Sequence, residues 1–120
     1  MIDGNTEVLL QQAISEEKKA AIFAHGKFNS HSEGWAVLLE ECEEVCEAAK
    51  VFERDFKSHM IKLWGAVRND MRTGGNTAGR LREIRKLAVN IAQEAVQVAA
   101  VCDKWLDKLE KESGNNGKDM

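Results

Sequence analysis

Apolar residues recur every three or four positions along most of the chain, the spacing that places them on one face of an α-helix. This pattern predicts helices over residues 5–24, 30–54 and 77–111, and a further helix from residue 55 or 58 to residue 71. No segment alternates between apolar and polar residues as a strand does, and proline, which interrupts helices, is absent. The pattern therefore predicts an all-α fold that resembles a four-helix bundle with a long C-terminal helix.

Short sequence signals mark the ends of the first two predicted helices. Asn5 or Thr6 is expected to cap the first helix, because both side chains can accept a hydrogen bond from a free backbone amide. Gly26 is expected to end it, since glycine readily adopts the positive φ found after a helix. Ser30 followed by Glu33 has the form of a capping box and predicts the start of the second helix.

The length and the apolar content predict one domain that assembles with copies of itself. With 120 residues the chain can build one modest core, which we expect over residues 1–112, followed by a disordered polar tail over 113–120. The clearest break is the glycine-containing segment 73–76. Because the long helices carry more apolar residues than so short a chain can cover, we expect a homodimer or homotetramer.

Charge and composition predict a cytoplasmic protein that binds neither nucleic acid nor membranes. The formal net charge is −3, which gives no general attraction to phosphate backbones or anionic lipids. The apolar runs are far shorter than the roughly 20 residues of a membrane span, and the chain begins without a signal-peptide pattern. The three cysteines are interpreted as small buried apolar residues in a reducing compartment.

The second predicted helix carries an unusual run of glutamates. Residues three and four apart share a helix face, so Glu40, Glu41 and Glu44 crowd together and repel one another. In a solvated helix, a lysine four residues after each glutamate normally relieves such repulsion. Here the residue four positions after Glu40 is Glu44, and the residue four positions after Glu43 is Glu47. The run is therefore either an acidic outer face or half of a cation site.

The last predicted helix carries polar residues on or beside its apolar stripe. Asn90, Glu94 and Gln97 share one face in a segment rich in alanine and valine. If this helix packs beside the glutamate helix, their oxygens form a cage of the kind that Mg²⁺ or Mn²⁺ prefers. Pairing of Glu94 with a lysine or arginine of another helix is the alternative.

Three motifs together resemble those of the MazG-like all-α nucleoside triphosphate pyrophosphohydrolases. The lead-in Phe28-Asn29-Ser30 is followed by Glu40-Glu41-Cys42-Glu43-Glu44, which matches the E-E-x-x-E motif of that family in full. The later Glu94-Ala95-Val96-Gln97 matches the family's E-x-x-D motif in its glutamate, with Gln97 where the family has aspartate. The segment between the two motifs is also longer than in the family, which we interpret as an inserted helix.

The resemblance implies a MazG-type fold and Mg²⁺-dependent hydrolysis of a nucleoside triphosphate to the monophosphate and pyrophosphate, with Mn²⁺ as a possible substitute. It implies metal ligands at Glu41, Glu44, Glu94 and Gln97. Glu40 and Glu41 are the candidate catalytic residues, with Glu40 placed to orient or deprotonate the attacking water. Because glutamine contributes a neutral oxygen, one metal ion would be held less tightly than in the family or lost.

Residues near the two acidic motifs are the candidates for substrate binding. By position, the resemblance implies a base pocket lined by Phe28, Asn29, His31 and Trp35. If the chain binds a triphosphate, the polar and basic residues that precede Glu94 would contact it: Arg85, Lys86 and Asn90. A solvated basic face is the alternative for Arg85 and Lys86, and core packing is the alternative for Phe28 and Trp35.

A different class of function also fits the sequence. Gln97 can mark a degenerate metal site in a non-catalytic helical oligomer or binding module. In that case the acidic face would meet a basic partner, and no triphosphate would be hydrolysed.

Overall fold

Three α-helices make up the part of the chain that the structure describes. The structure is a computed structural model that describes residues 3–69 and 76–118, with side chains to residue 114. The helices are α1 (Gly4–His25), α2 (His31–Arg68) and α3 (Thr77–Lys118). Over these residues no strand occurs, which confirms the predicted all-α class.

The ends of α1 and the start of α2 follow from local hydrogen bonds. The prediction that Asn5 or Thr6 caps α1 is wrong, because the Asp3 carboxylate accepts from the backbone N–H of Thr6 at 2.8 Å. Gly26 follows α1 with a φ of 73°, as predicted. The Ser30 hydroxyl accepts from the backbone N–H of Glu33 at 3.1 Å, so the predicted cap of α2 is confirmed.

The second helix is continuous, and the predicted break near residue 55 is wrong. Arg54 and Asp55 pair with each other at 2.8 Å, and Phe52 stacks on Phe56 one turn later with ring centroids 5.5 Å apart. Neither glycine nor proline lies between residues 35 and 64, so nothing there ends the helix. The segments expected to form two helices of a bundle therefore form one.

The long last helix was predicted from residue 77 and does begin there. It continues to Lys118 and so runs through most of the segment 113–120, for which the sequence predicted disorder. Apart from Asn76, the predicted glycine-containing break at 73–76 lies outside the described residues.

The fold is elongated, with α3 packed against both α1 and α2. Its dimensions are 74 × 30 × 23 Å and its radius of gyration is 20.4 Å, against about 14 Å for a compact chain of this length. The buried apolar residues are few and mostly small: Phe28, Ala48, Ala66, Ala100 and Val101. Such a core covers little of the apolar surface of the chain.

Large apolar side chains remain exposed along the second half of α2. Met60, Ile61, Trp64 and Val67 are each exposed by half or more. The prediction that all three cysteines are buried is wrong for Cys46, which is exposed on α2, while Cys42 and Cys102 are half-buried. Among the described helices, none has the length and apolar character needed to cross a bilayer.

A polar clamp holds the start of α2 against the end of α3. The indole N–H of Trp105 donates to His31 Nδ1 at 2.9 Å, and His31 Nε2 lies 2.8 Å from the Glu112 carboxylate. Because indole can only donate, His31 accepts at Nδ1 and donates from Nε2. Lys108 adds an ion pair to Glu112 at 3.1 Å, and the Trp105 ring packs directly on Gly34.

Candidate functional site

Glutamates from α2 and α3 meet in the middle of their shared interface. One carboxylate oxygen from each of Glu41, Glu44 and Glu94 lies within 4.8 Å of the other two. Glu41 and Glu44 share a face of α2 because they are three residues apart, and the packing of α3 brings Glu94 opposite them. We call these three residues the carboxylate cluster; they offer one oxygen ligand each.

The carboxylate cluster favours a bound cation or proton. Burial, and then the charges of Glu44 and Glu94, raise the pKa of Glu41 to about 6. Burial and the neighbouring Glu44 also raise the pKa of Glu94. None of the three forms an ion pair with a lysine or arginine of the described residues, so the alternative of a pairing for Glu94 finds no partner there.

The donor set of the carboxylate cluster fits a small divalent cation. Oxygen ligands around an octahedral Mg²⁺ lie about 3–4 Å apart, given metal–oxygen distances of about 2.1 Å. The oxygens of the cluster lie within 4.8 Å of one another, so the three side chains would have to move closer together to bind such an ion. All its ligand atoms are carboxylate oxygens, the type that Mg²⁺ and Mn²⁺ prefer.

Gln97 lies beside the carboxylate cluster, one helical turn after Glu94. Its side-chain amide reaches Glu41 Oε2 at 2.9 Å and Glu94 Oε2 at 3.2 Å when the nitrogen is the atom that faces both. Ionised carboxylates only accept, so this is the orientation that forms hydrogen bonds. Gln97 therefore links the two helices as a donor, and it must rotate to offer an oxygen to a metal ion.

Glu40 is next to the carboxylate cluster but on the solvent side. It is exposed, and its charge contributes to the raised pKa of Glu41. A carboxylate in this position is accessible to water and can orient or deprotonate it beside the cluster.

A cavity of about 360 Å³ adjoins the carboxylate cluster and is lined by all three helices. We call it the central cavity. Glu41 and Gln97 line one part of it, while Phe28, Glu33 and Lys104 line another. Most of the remaining wall is alanine and valine, so this cavity is largely apolar with a few polar groups, as is typical of ligand sites.

The structure brings one of the four predicted base-pocket residues to the central cavity. Phe28 is buried in its wall. Asn29 instead lies at the surface, where its amide donates to Glu33 at 3.5 Å. His31 belongs to the clamp, and Trp35 is 60% exposed and outside the cavity lining.

The three candidates for polyphosphate binding lie together on α3 but away from the central cavity. Arg85, Lys86 and Asn90 line a different cavity, of about 390 Å³, formed by residues of α3. It shares no lining residue with the central cavity. Asn90 is one turn before Glu94 along the helix, yet the two residues do not line the same cavity.

Four polar residues of the central cavity were not among the residues predicted for the site: Glu17, His25, Glu33 and Lys104. Lys104 is only 7% exposed, and Glu33 was considered only as part of a cap. The signal for Lys104 was present in the sequence: it is a lysine seven residues after Gln97, within the apolar stripe of α3. Seven residues are two helical turns, so both lie on one face.

Comparison of this chain with models of protein families, with curated proteins and with solved structures found no match.

Proposed function

We propose that this chain is a MazG-like nucleoside triphosphate pyrophosphohydrolase that uses Mg²⁺, or Mn²⁺, to convert a (d)NTP to the monophosphate and pyrophosphate. The observation that carries the proposal is the carboxylate cluster, in which three oxygens from two helices lie within 4.8 Å beside a cavity. The E-E-x-x-E motif supplies two of these residues, and the later glutamate motif supplies the third.

Each residue has a distinct task in the proposed reaction. Glu41, Glu44 and Glu94 hold the metal ion, with Gln97 supplying a further oxygen after its amide rotates. A bound Mg²⁺ supplies positive charge that offsets the charge of the phosphate oxygens. Glu40 accepts a proton from the water that attacks the α-phosphorus. The bond from that phosphorus to the α,β-bridging oxygen breaks, and pyrophosphate leaves with the electron pair.

The central cavity supports a role for the cluster in binding a small molecule. An exposed acidic patch on a helix surface would serve a purely electrostatic role without a cavity beside it. Here Glu41 and Gln97 belong both to the cluster region and to the cavity wall. If the phosphates of a triphosphate are bound at the cluster, its base can therefore enter the apolar central cavity.

The proposal includes a homodimer or homotetramer as the working form, in which a second copy completes the bundle. The exposed apolar residues of α2 and the radius of gyration of 20.4 Å support it, because one chain alone leaves these surfaces in water. Monomeric proteins rarely expose extended apolar surfaces of this kind.

One observation favours the alternative, a binding module with a degenerate metal site. The Gln97 amide donates to both Glu41 and Glu94, which holds the two carboxylates together without a cation. In this alternative the same residues bind a basic partner and turn over no triphosphate.

The experiment that separates the two is a panel of canonical and modified triphosphates, assayed for pyrophosphate with Mg²⁺ and then with EDTA, on chains of measured oligomeric mass. The variants Glu41→Gln, Glu44→Gln and Glu94→Gln are expected to lose at least about 100-fold in turnover. Glu43→Gln is the matched control, an exposed glutamate of the same helix outside the cluster, and it is expected to keep activity. Absence of turnover with every triphosphate, in Mg²⁺ and in Mn²⁺, refutes the enzymatic proposal.

A further inference from the structure

Lys104 is a buried lysine that pairs with no carboxylate of the described residues. Its side chain is on the wall of the central cavity, it is 7% exposed, and its ammonium lies 4.2 Å from the centroid of the Phe28 ring. Within the described part of the chain it forms no ion pair, since nearby Asp107 is held by Lys18 and Glu112 by Lys108. An aromatic face offsets part of the cost of burying the charge. The ammonium is not among the fully buried unpartnered polar atoms of the described residues, so its donors remain accessible to water or to a ligand.

The position of Lys104 relative to the carboxylate cluster defines what it can reach. It follows Gln97 by two helical turns, about 10 Å along α3, on the same face. Both residues line the central cavity. A ligand with its phosphates at the cluster would therefore bring its nucleoside end, rather than its phosphates, toward Lys104.

The walls of the central cavity favour a nucleobase over a phosphate at this end. Alanines of α1 and α3 give this chamber an apolar wall, against which the face of a flat ring can pack. Glu33, next to the Gly34 that packs on Trp105, lines this end, and its negative charge would repel a polyphosphate. Glu33 can instead accept a hydrogen bond from an N–H of a base.

We propose that Lys104 is a specificity-determining residue, whose ammonium donates to an acceptor atom on the edge of the substrate base while the triphosphate is held at the carboxylate cluster. This inference rests on the proposed function, because it takes the ligand to be a nucleoside triphosphate. It adds a base-contacting residue outside the motifs from which the function is proposed.

The test measures equilibrium binding in Mg²⁺ of the α,β-imido analogues of dATP, dCTP, dGTP and dUTP, and of inorganic tripolyphosphate, which has no base. In Lys104→Met, which keeps the length but loses the donors, the tightest nucleotide analogue is expected to bind about 10-fold more weakly or worse. Tripolyphosphate is expected to bind as in the wild type. Lys111→Met, an exposed lysine two turns further along α3, is the control and is expected to change neither.

The outcomes separate this inference from the proposed function. If the wild type binds neither Mn²⁺ nor any nucleotide analogue, the proposed function and the role of Lys104 both fail. If Lys104→Met weakens tripolyphosphate as much as the nucleotides, Lys104 contacts phosphate and the inference alone is overturned. If Lys104→Met does not fold, the wild type decides: equal affinity for tripolyphosphate and for every analogue overturns the inference, and tighter binding of a nucleotide supports it.

Discussion

The clamp and the carboxylate cluster are polar contacts between α2 and α3, and the negative charges in them are in opposite environments. In the clamp, Glu112 receives hydrogen bonds from Lys108 and His31, and these lower the pKa of its carboxyl. In the carboxylate cluster, burial and neighbouring carboxylates raise the pKa of Glu41 to about 6. In the clamp, the Glu112 carboxylate is matched by donors from described residues. In the cluster, the carboxylate oxygens outnumber the donors that the described residues offer them.

The comparison indicates which contact stabilises the pairing of the two helices and which opposes it. The acidic cluster opposes the pairing of α2 and α3, and Gln97 relieves it only in part. The clamp favours the same pairing at the N-terminal end of α2. The repulsion within the cluster can thus be tolerated because the two helices are also held together at the clamp.

The largest change in stability is expected from Gly34→Ala, which would loosen the clamp. A Cβ at this position would lie 2.9 Å from Trp105 Cδ2, so the indole must move and its bond to His31 is strained. We expect a loss of about 1–3 kcal/mol in the free energy of unfolding, the usual cost of overpacking, measured by urea denaturation.

Gly65→Ala is the matched control for this change. Gly65 is also in α2, and a Cβ there meets nothing within 4 Å. Alanine at this position is expected to stabilise the helix by about 0.5–1 kcal/mol. Equal stability of the two variants would show that the contact between Gly34 and Trp105 does not hold the helices together.

In the absence of metal, Glu41→Gln is expected to increase stability, by less than Gly34→Ala decreases it. A carboxyl whose pKa is raised from 4.5 to about 6 stabilises the fold when protonated and loses that contribution as pH rises through 6. At pH 7.5 the variant is therefore expected to be more stable than the wild type by about 1 kcal/mol, after allowance for solvent screening. At pH 4 the difference is expected to vanish.

Saturating Mg²⁺ is expected to reverse this order, because it stabilises the wild type and has little effect on Glu41→Gln. Thermal unfolding at pH 7.5 with Mg²⁺ and with EDTA measures both effects. Glu43→Gln, outside the cluster, is expected to follow the wild type in each condition. A Glu41→Gln chain that is less stable than the wild type in EDTA would contradict the repulsion inferred here.

The smallest effect is expected from Glu112→Gln, which removes the charge of the clamp from a half-exposed position. Because the pKa of Glu112 is lowered, its contribution is present above the unfolded value of 4.5 and is lost as pH falls below it. The variant is therefore expected to be slightly less stable at pH 7 and equal at low pH. Glu110→Gln, an exposed glutamate of α3, is the control; an equal loss there would remove any special role for the clamp.

The features that the sequence predicted well depend on short stretches of chain. The Ser30 cap and the Gly26 turn are set by neighbouring residues. The shared face of Glu41 and Glu44 follows from their spacing. That Glu94 lies opposite them was expected because Asn90, Glu94 and Gln97 share one face on or beside an apolar stripe, and the structure brings the three glutamates together.

The features that the sequence could not predict depend on how helices rotate against one another. Spacing alone did not show that Trp35 is turned outward while Trp105 packs on Gly34. It also did not show that Lys104 lies on the cavity wall rather than in solvent. Nor did it show that the two helices predicted on either side of residue 55 are one continuous α2, within which Arg54 and Asp55 pair with each other.

All the groups that α3 contributes to these contacts are carried on one uninterrupted helix. Glu94 and Gln97, then Lys104, and then the clamp residues follow one another at intervals set by the backbone hydrogen bonds alone. One residue inserted between 97 and 104 would turn everything after it by about 100° around the helix axis. Evolution can thus exchange many side chains along this segment, but it cannot lengthen or shorten it without misaligning every downstream group at once.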